Sequence, residues 1–249
     1  MSDVAQMEPR QPPFRQPCAP QPGTFSGVTF ATLAFIFVRC FSNRIPFMAY
    51  EYDVFLSYRS KSRDWVQKIF LPDFQHYLEE SIRNATIFVD WHDVMPGDAW
   101  AARLKRGLAH SRCLVSLLTS RYFESDWCTK EFAVFENRSR QNGLLTTEAP
   151  SGLILPLALD SRERFPAVLG DIQMPDWDYY YSASVKGYKK IKKYQKLQDE
   201  LKILARNVAR RIRLAPPWNP DWLQDDWLEV PANHLRIDDV PFHVPQPRI

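Results

Sequence analysis

The stretch Ser125-Asp126-Trp127-Cys128-Thr129-Lys130-Glu131-Phe132 places a carboxylate, a thiol and an indole at helical spacing. Ser125 or Asp126 predicts the start of a helix, because a side-chain oxygen there accepts one of the free first-turn N–H groups. On that helix Trp127, Glu131 and Phe135 fall one turn apart on one face, with Cys128 and Phe132 beside them. Glu131 therefore lies on the apolar side of its own helix, while Lys130, Asn137 and Arg138 lie elsewhere on it. A carboxylate so placed is paired, neutral or working. The plain reading is a buried Glu paired with an Arg. The working one is electrostatic: a carboxylate in an apolar site stabilises positive charge that develops beside it.

The elements that must position this carboxylate alternate along the chain. Tyr52 to Tyr58 is a short apolar run rich in β-formers, suited to a strand buried on both faces. A helix follows from about Ser62 to Ile82, with Pro72 predicting a kink. Thr86 to Asp90 reads as a second strand, and Trp91 to Gly97 as a loop with a Pro96-Gly97 turn. Asp98 can cap a helix running to about His110. Cys113 to Thr119 and Leu153 to Leu159 read as the third and fourth strands, with the Trp127–Glu131 helix between them. Strands and helices in alternation predict a parallel sheet with helices on both faces. Ligands of such sheets bind beyond the carboxyl ends of the strands, where strand order reverses. Ser57 to Arg59, Asp90 to Gly97 and Glu131 all fall on that edge.

Other segments bound the class of protein. The 249 residues suit one globular domain with extra segments. The net charge of +3 makes no general demand for nucleic acid. The four cysteines (Cys18, Cys40, Cys113 and Cys128) show neither C-x-x-C nor zinc spacing, so they read as reduced cytosolic thiols, with no metal site expected. No Gly-rich dinucleotide or phosphate loop is present. Residues 1–47 are Pro-rich and then apolar from Val28 to Val38, a run of 11 residues, too short to cross a bilayer as a helix. They are expected to be a disordered extension, or to precede a natural start at Met48; an anchor at 28–38 is the sharper alternative. Tyr188 to Arg213 predicts a long amphipathic helix with a Lys/Arg-rich outer face. Such a face is ordinarily solvated, and it could also meet an acidic partner, nucleic acid or an anionic membrane. Residues 214–249 carry Trp218, Trp222 and Trp227, and are expected to wrap back onto the domain or a neighbour.

Four motifs now carry a resemblance. Phe55-Leu56-Ser57-Tyr58-Arg59 resembles the first conserved box of Toll/interleukin-1 receptor (TIR) domains. Phe88-Val89-Asp90 with Val94 to Asp98 resembles that family's second strand and its following loop. Ser111 to Thr119 is similar to its third strand. Asp126-Trp127-Cys128-Thr129-Lys130-Glu131 resembles the signature of TIR domains that cleave NAD+. Each motif alone is unspecific; four in this order over residues 52–213 are specific. The resemblance implies an α/β, flavodoxin-like doubly wound parallel sheet with a long C-terminal helix, as a domain spanning 48–213.

It also implies a function. The family contains adaptors that assemble through the loop after the second strand, and enzymes that split NAD+ at the nicotinamide–ribose bond. On the enzyme reading Glu131 is the catalytic carboxylate and NAD+ is a substrate rather than a cofactor. Nicotinamide leaves as a neutral base, so no general acid is needed, unlike the two-carboxyl glycosidases. Trp127 would pack on the ribose or nicotinamide, or in the core. Arg59 would meet a phosphate, or form a surface ion pair. Ser57 would donate a hydrogen bond, Asp90 would orient the loop, and Gly97 would serve its turn. Where some NAD-cleaving relatives carry Lys in this loop, His92 and Asp93 stand here. The product would be ADP-ribose or a cyclic isomer, in immune or stress signalling in the cytoplasm, with activity rising on self-association through loop 91–98. The alternative is a non-catalytic TIR adaptor in which Glu131 is structural.

Overall fold

The computed structural model of the protein describes residues 49–90, 100–170, 172–224, 226 and 229–236. The chain forms two units, Met1–Ile45 and Pro46–Ile249, and every described residue belongs to the second. The expectations for residues 1–47, for the loop 91–98 with His92, Asp93 and Gly97, and for Trp227 fall outside the described residues.

Four strands form one parallel sheet: β1 (Tyr52–Tyr58), β2 (Ile87–Val89), β3 (Ser111–Leu118) and β4 (Ile154–Ala158). Their order is β2-β1-β3-β4, so the winding reverses between β1 and β3. This is the doubly wound order expected from the sequence. Successive side chains of a strand face opposite sides, and the core divides accordingly. Val54, Leu56, Cys113, Val115, Leu155 and Leu157 face one helical layer. Phe55, Leu114 and Leu118 face the other.

The first layer comprises α1 (Arg63–Trp65), α2 (Leu71–Ser81) and the long α5 (Lys192–Leu214). Between α1 and α2 the expected kink at Pro72 takes the form of a π-helical stretch, Val66–Phe70. Leu71 N–H reaches back five residues to Val66 O. In a regular helix the Pro72 ring would collide with the carbonyl of Lys68, and the widened turn relieves this. Leu197, Leu201, Leu204, Ala205, Val208 and Ile212 form the buried stripe of α5.

The second layer comprises α3 (Trp100–His110) and α4 (Asp126–Gln141). Gly107 lets α3 approach the sheet: a Cβ there would lie 2.6 Å from the ring of Phe88 on β2. The described residues between Ala215 and Arg236 run over these two helices. Trp218 stacks on His110 with ring centroids 4.9 Å apart and donates to Ala109 O at 3.1 Å. Leu235 and Ala232 are buried in the same layer. Lys130 and Arg138, expected from the sequence to lie off the apolar face, are both buried; Arg138 follows Glu131 by two turns on the same side of α4. Lys130 Nζ donates to Val230 O at 2.6 Å, and the Trp222 ring lies 4.0 Å from the Arg138 guanidinium.

β4 is the edge strand. Leu153 O and Leu159 N–H bond to β3, so Ile154, Pro156 and Ala158 face outward. Ala158 makes one bridge to Asp176: its N–H donates to Pro175 O at 3.0 Å, and its C=O accepts from Trp177 N–H at 2.6 Å. In a continuing parallel ladder the next rungs would use the N–H of Pro156 and the N–H of Pro175. Neither proline has one, so a fifth strand ends after a single bridge. Among the described residues no helix is long and apolar enough to cross a membrane.

Candidate active site

Ser57 is the last fully buried residue of β1, at the carboxyl end where strand order reverses. α4 begins after β3 through a 3-10 turn, Tyr122–Glu124. Ser125 caps the helix, its side chain accepting from Cys128 N–H at 3.5 Å. This start brings Glu131 over the end of β1. Ser57 Oγ donates to Glu131 Oε2 at 2.5 Å, and Tyr122 Oη lies 2.6 Å from Ser57 Oγ. Because the Ser57 proton points at the carboxyl, the Tyr122 phenol donates to Ser57. Burial holds that phenol well above its ordinary pKa, so it stays protonated.

Glu131 is 5% exposed. Its carboxyl is pushed up to about 8, first by burial, with a further push from the charge on Asp90 and an opposing pull from the Ser57 bond. No cation is among the groups that shift it. The plain sequence reading, a buried Glu paired with an Arg, thus finds no such Arg among the described residues. Neighbouring Cys128 donates from Sγ to Tyr58 O at 3.7 Å. Burial and then the Glu131 charge push its thiol up to about 12, which leaves little nucleophilic thiolate at neutral pH.

Residues 54–191 match the family model for the TIR domain. The chain belongs to the TIR-domain family. Toll-like receptor 4 of Rattus norvegicus, of Felis catus and of Homo sapiens are each 29% identical over 84 residues, which is 33% of this chain and 10% of the receptor. The chain thus spans about a tenth of the length of these curated relatives. Similar solved structures include the TIR domain of the Toll-related receptor TRR-2 from Hydra magnipapillata, with a TM-score of 0.37 and 19% identity over 61% of this chain and 98% of that one. Another is the TIR domains of the activated Roq1 resistosome, with a TM-score of 0.34 and 19% identity over 64% of this chain and 84% of that one.

In this TIR domain the residues singled out from the sequence occupy distinct places. Ser57 and Glu131 are in direct contact. Asp90 follows β2, and its Oδ1 accepts from Trp100 Nε1 at 3.0 Å, which ties the end of that strand to the start of α3. Trp127 meets Trp100 edge-on, with ring centroids 4.3 Å apart. Asp90, Trp100 and Trp127 thus form a wall beside the carboxyl. Arg59 lies 3.7 Å from Glu124 in an ion pair. Gly97 lies outside the described residues.

Four contributors went unnoticed in the sequence reading. Tyr122 supports Ser57. Glu124 is approached by Arg59 at 3.7 Å, Arg121 at 3.8 Å and Arg164 at 3.6 Å. One carboxylate cannot neutralise three guanidinium groups, so the cluster keeps a net positive charge. Tyr122 carried a signal, being an aromatic residue between a strand and a helix cap. Arg164, some forty residues along the chain, carried none.

Proposed function

We propose that this TIR-domain chain is an NAD+ nucleosidase whose catalytic carboxylate is Glu131. The observation that carries the reading is a buried carboxyl, held by Ser57 at the end of β1, with no cationic partner among the described residues. A positively charged ligand would supply such a group with a counter-ion. NAD+ carries its charge on the nicotinamide ring, at the bond to be broken. Its approach would draw the Glu131 carboxyl to the ionised form and release a proton. The C–N bond then breaks with its electron pair leaving on nicotinamide. Positive charge appears on the ribose, where the carboxylate stabilises it. Water adds to the sugar and loses a proton, so NAD+ and water give ADP-ribose, nicotinamide and a proton. Attack by the adenine instead would give a cyclic isomer.

The surrounding residues fit this task. Tyr122 and Ser57 fix the carboxyl, and Trp127 offers an aromatic surface for the nicotinamide–ribose end. The arginines around Glu124 fit the pyrophosphate, since guanidinium groups bind phosphate oxygens with paired donors. Self-association through residues 91–98 belongs to the same proposal and predicts a specific rate of NAD+ loss that rises with protein concentration. The experiment is NAD+ consumption by the parent chain beside Glu131→Gln, at high protein concentration. Nicotinamide release by the parent alone supports the reading. Equal release by both removes Glu131 from the mechanism.

One observation favours a second reading, a TIR module that acts by binding other TIR domains. A carboxyl pushed up to about 8 is mostly neutral at pH 7 and already bonded to Ser57, which is also how a purely structural Glu is accommodated. Absence of NAD+ turnover from a chain shown to self-associate would select it.

A further inference from the structure

Where the fifth strand ends, the two helical layers overhang the edge of β4 and leave a cleft of about 1000 Å3. That is the upper end of the range of small-molecule sites, about 300–1,000 Å3. Its floor is the outer edge of β4. One wall comes from α4, the other from α5, and the ends from Leu145, Pro150 and Gly152 and from Val168, Ile172 and Met174. Leu145 reaches into it from a left-handed backbone position, φ 62°, and packs on Gly152, where a Cβ would lie 2.7 Å from Leu145 Cδ2. Ile154, Met174, Leu204 and Leu214 are further apolar residues of the lining.

The charge on this cleft is unbalanced. Arg210 and Arg211 line it from α5. Arg211 is half-buried and donates from Nη1 to Gly152 O at 3.1 Å. Among the described residues neither arginine has a carboxylate within ion-pair distance. Glu136 also lines the cleft, but it is engaged by Arg140 at 2.8 Å and by His234 at 2.6 Å. Two arginines beside apolar lining residues fit an occupant with an anionic head and a hydrocarbon chain. A polypeptide strand fits less well. The outward register at Pro156 offers it no N–H donor, so pairing along β4 would stay incomplete.

We propose that this cleft binds a single-chain anionic amphiphile of the fatty-acid class, with its carboxylate on Arg210 and Arg211 and its chain along Leu145, Ile154, Leu204 and Leu214. The site lies apart from Ser57 and Glu131 and needs no NAD+ chemistry. The test is titration of the full chain with dansyl-labelled undecanoic acid, followed by fluorescence and by competition with palmitate. Saturable binding displaced by palmitate is expected, with hexadecanol a much poorer competitor because it lacks the carboxylate.

Arg210→Glu and Leu214→Glu place a negative charge at exposed positions of α5 (Leu214 is 49% exposed). Each should weaken binding about ten- to a hundredfold with unchanged far-ultraviolet circular dichroism and unchanged NAD+ turnover. Four results would overturn the proposal: no saturable signal; equal affinity in both variants; equal competition by hexadecanol; or association only with anionic phospholipid vesicles, which would mark the basic face of α5 as a surface adsorber instead.

Discussion

The substitution Glu131→Gln isolates the energetic consequence of burying this carboxyl. In the unfolded chain the group loses its proton near its ordinary value of 4.5, and in the folded chain near 8. Between these values the native state holds one proton more than the unfolded state. Stability is therefore fully present below the unfolded value and falls as pH rises, by about 1.4 kcal/mol per pH unit, until the folded value is passed. Across the whole window the fall sums to roughly 5 kcal/mol, a large part of the roughly 5–15 kcal/mol that holds a typical domain folded. Glutamine keeps an oxygen for the Ser57 hydroxyl at 2.5 Å from the carboxyl it replaces, and it does not ionise. Urea denaturation of both proteins, from about pH 5 to pH 9, cancels every other titrating group in the difference. The stability of Glu131→Gln relative to the parent should climb steadily with pH and level off above about 8. Parallel profiles would refute the reasoning, because they would mean that Glu131 is ionised in the native state and has a counter-charge there.

Other outcomes follow from the same geometry. If the ionised carboxyl does the chemistry, kcat/KM for NAD+ should rise with pH through about 8, read from an initial-rate profile. Ser57→Ala removes the bond that holds the carboxyl down, so that profile should move to higher pH while the protein stays folded by circular dichroism. Gly107→Ala places a Cβ against the Phe88 ring at 2.6 Å and should cost about 1–3 kcal/mol by overpacking, measured by urea denaturation. Leu235→Ala, which empties a buried position under the C-terminal segment, should cost about 2–5 kcal/mol. No loss there would mean that the segment 229–236 does not dock on α4.

How much was legible in the sequence depends on the range of the interaction. β1 and β3 were plain as apolar runs, and α4 was plain from its cap and its spacing. The parallel sheet followed from the alternation of elements, and its doubly wound order from the resemblance to TIR domains. The place of Glu131 on an apolar face could be read from one helix alone, since helical periodicity is a local property. That no described arginine pairs with it could not, because that depends on which residues the fold brings near. The Tyr122–Ser57 contact spans 65 residues, and the cluster on Glu124 joins residues from three separate segments. The π-helical stretch was visible only as a proline. The burial of Lys130 and Arg138 was hidden because the segment that covers them lies about a hundred residues away, as with the Lys130–Val230 contact.

The prolines at the sheet edge have a consequence for how this protein associates. A chain whose work is proposed to begin when copies gather must do so without adding strand upon strand indefinitely. Open parallel edges invite that kind of growth, which ends in fibrils. On β4 the only outward N–H beyond the bridge to Asp176 is that of Ile154, because Pro156 has none to give. At this edge of the sheet, crowding copies together therefore offers no continuous template for strand addition.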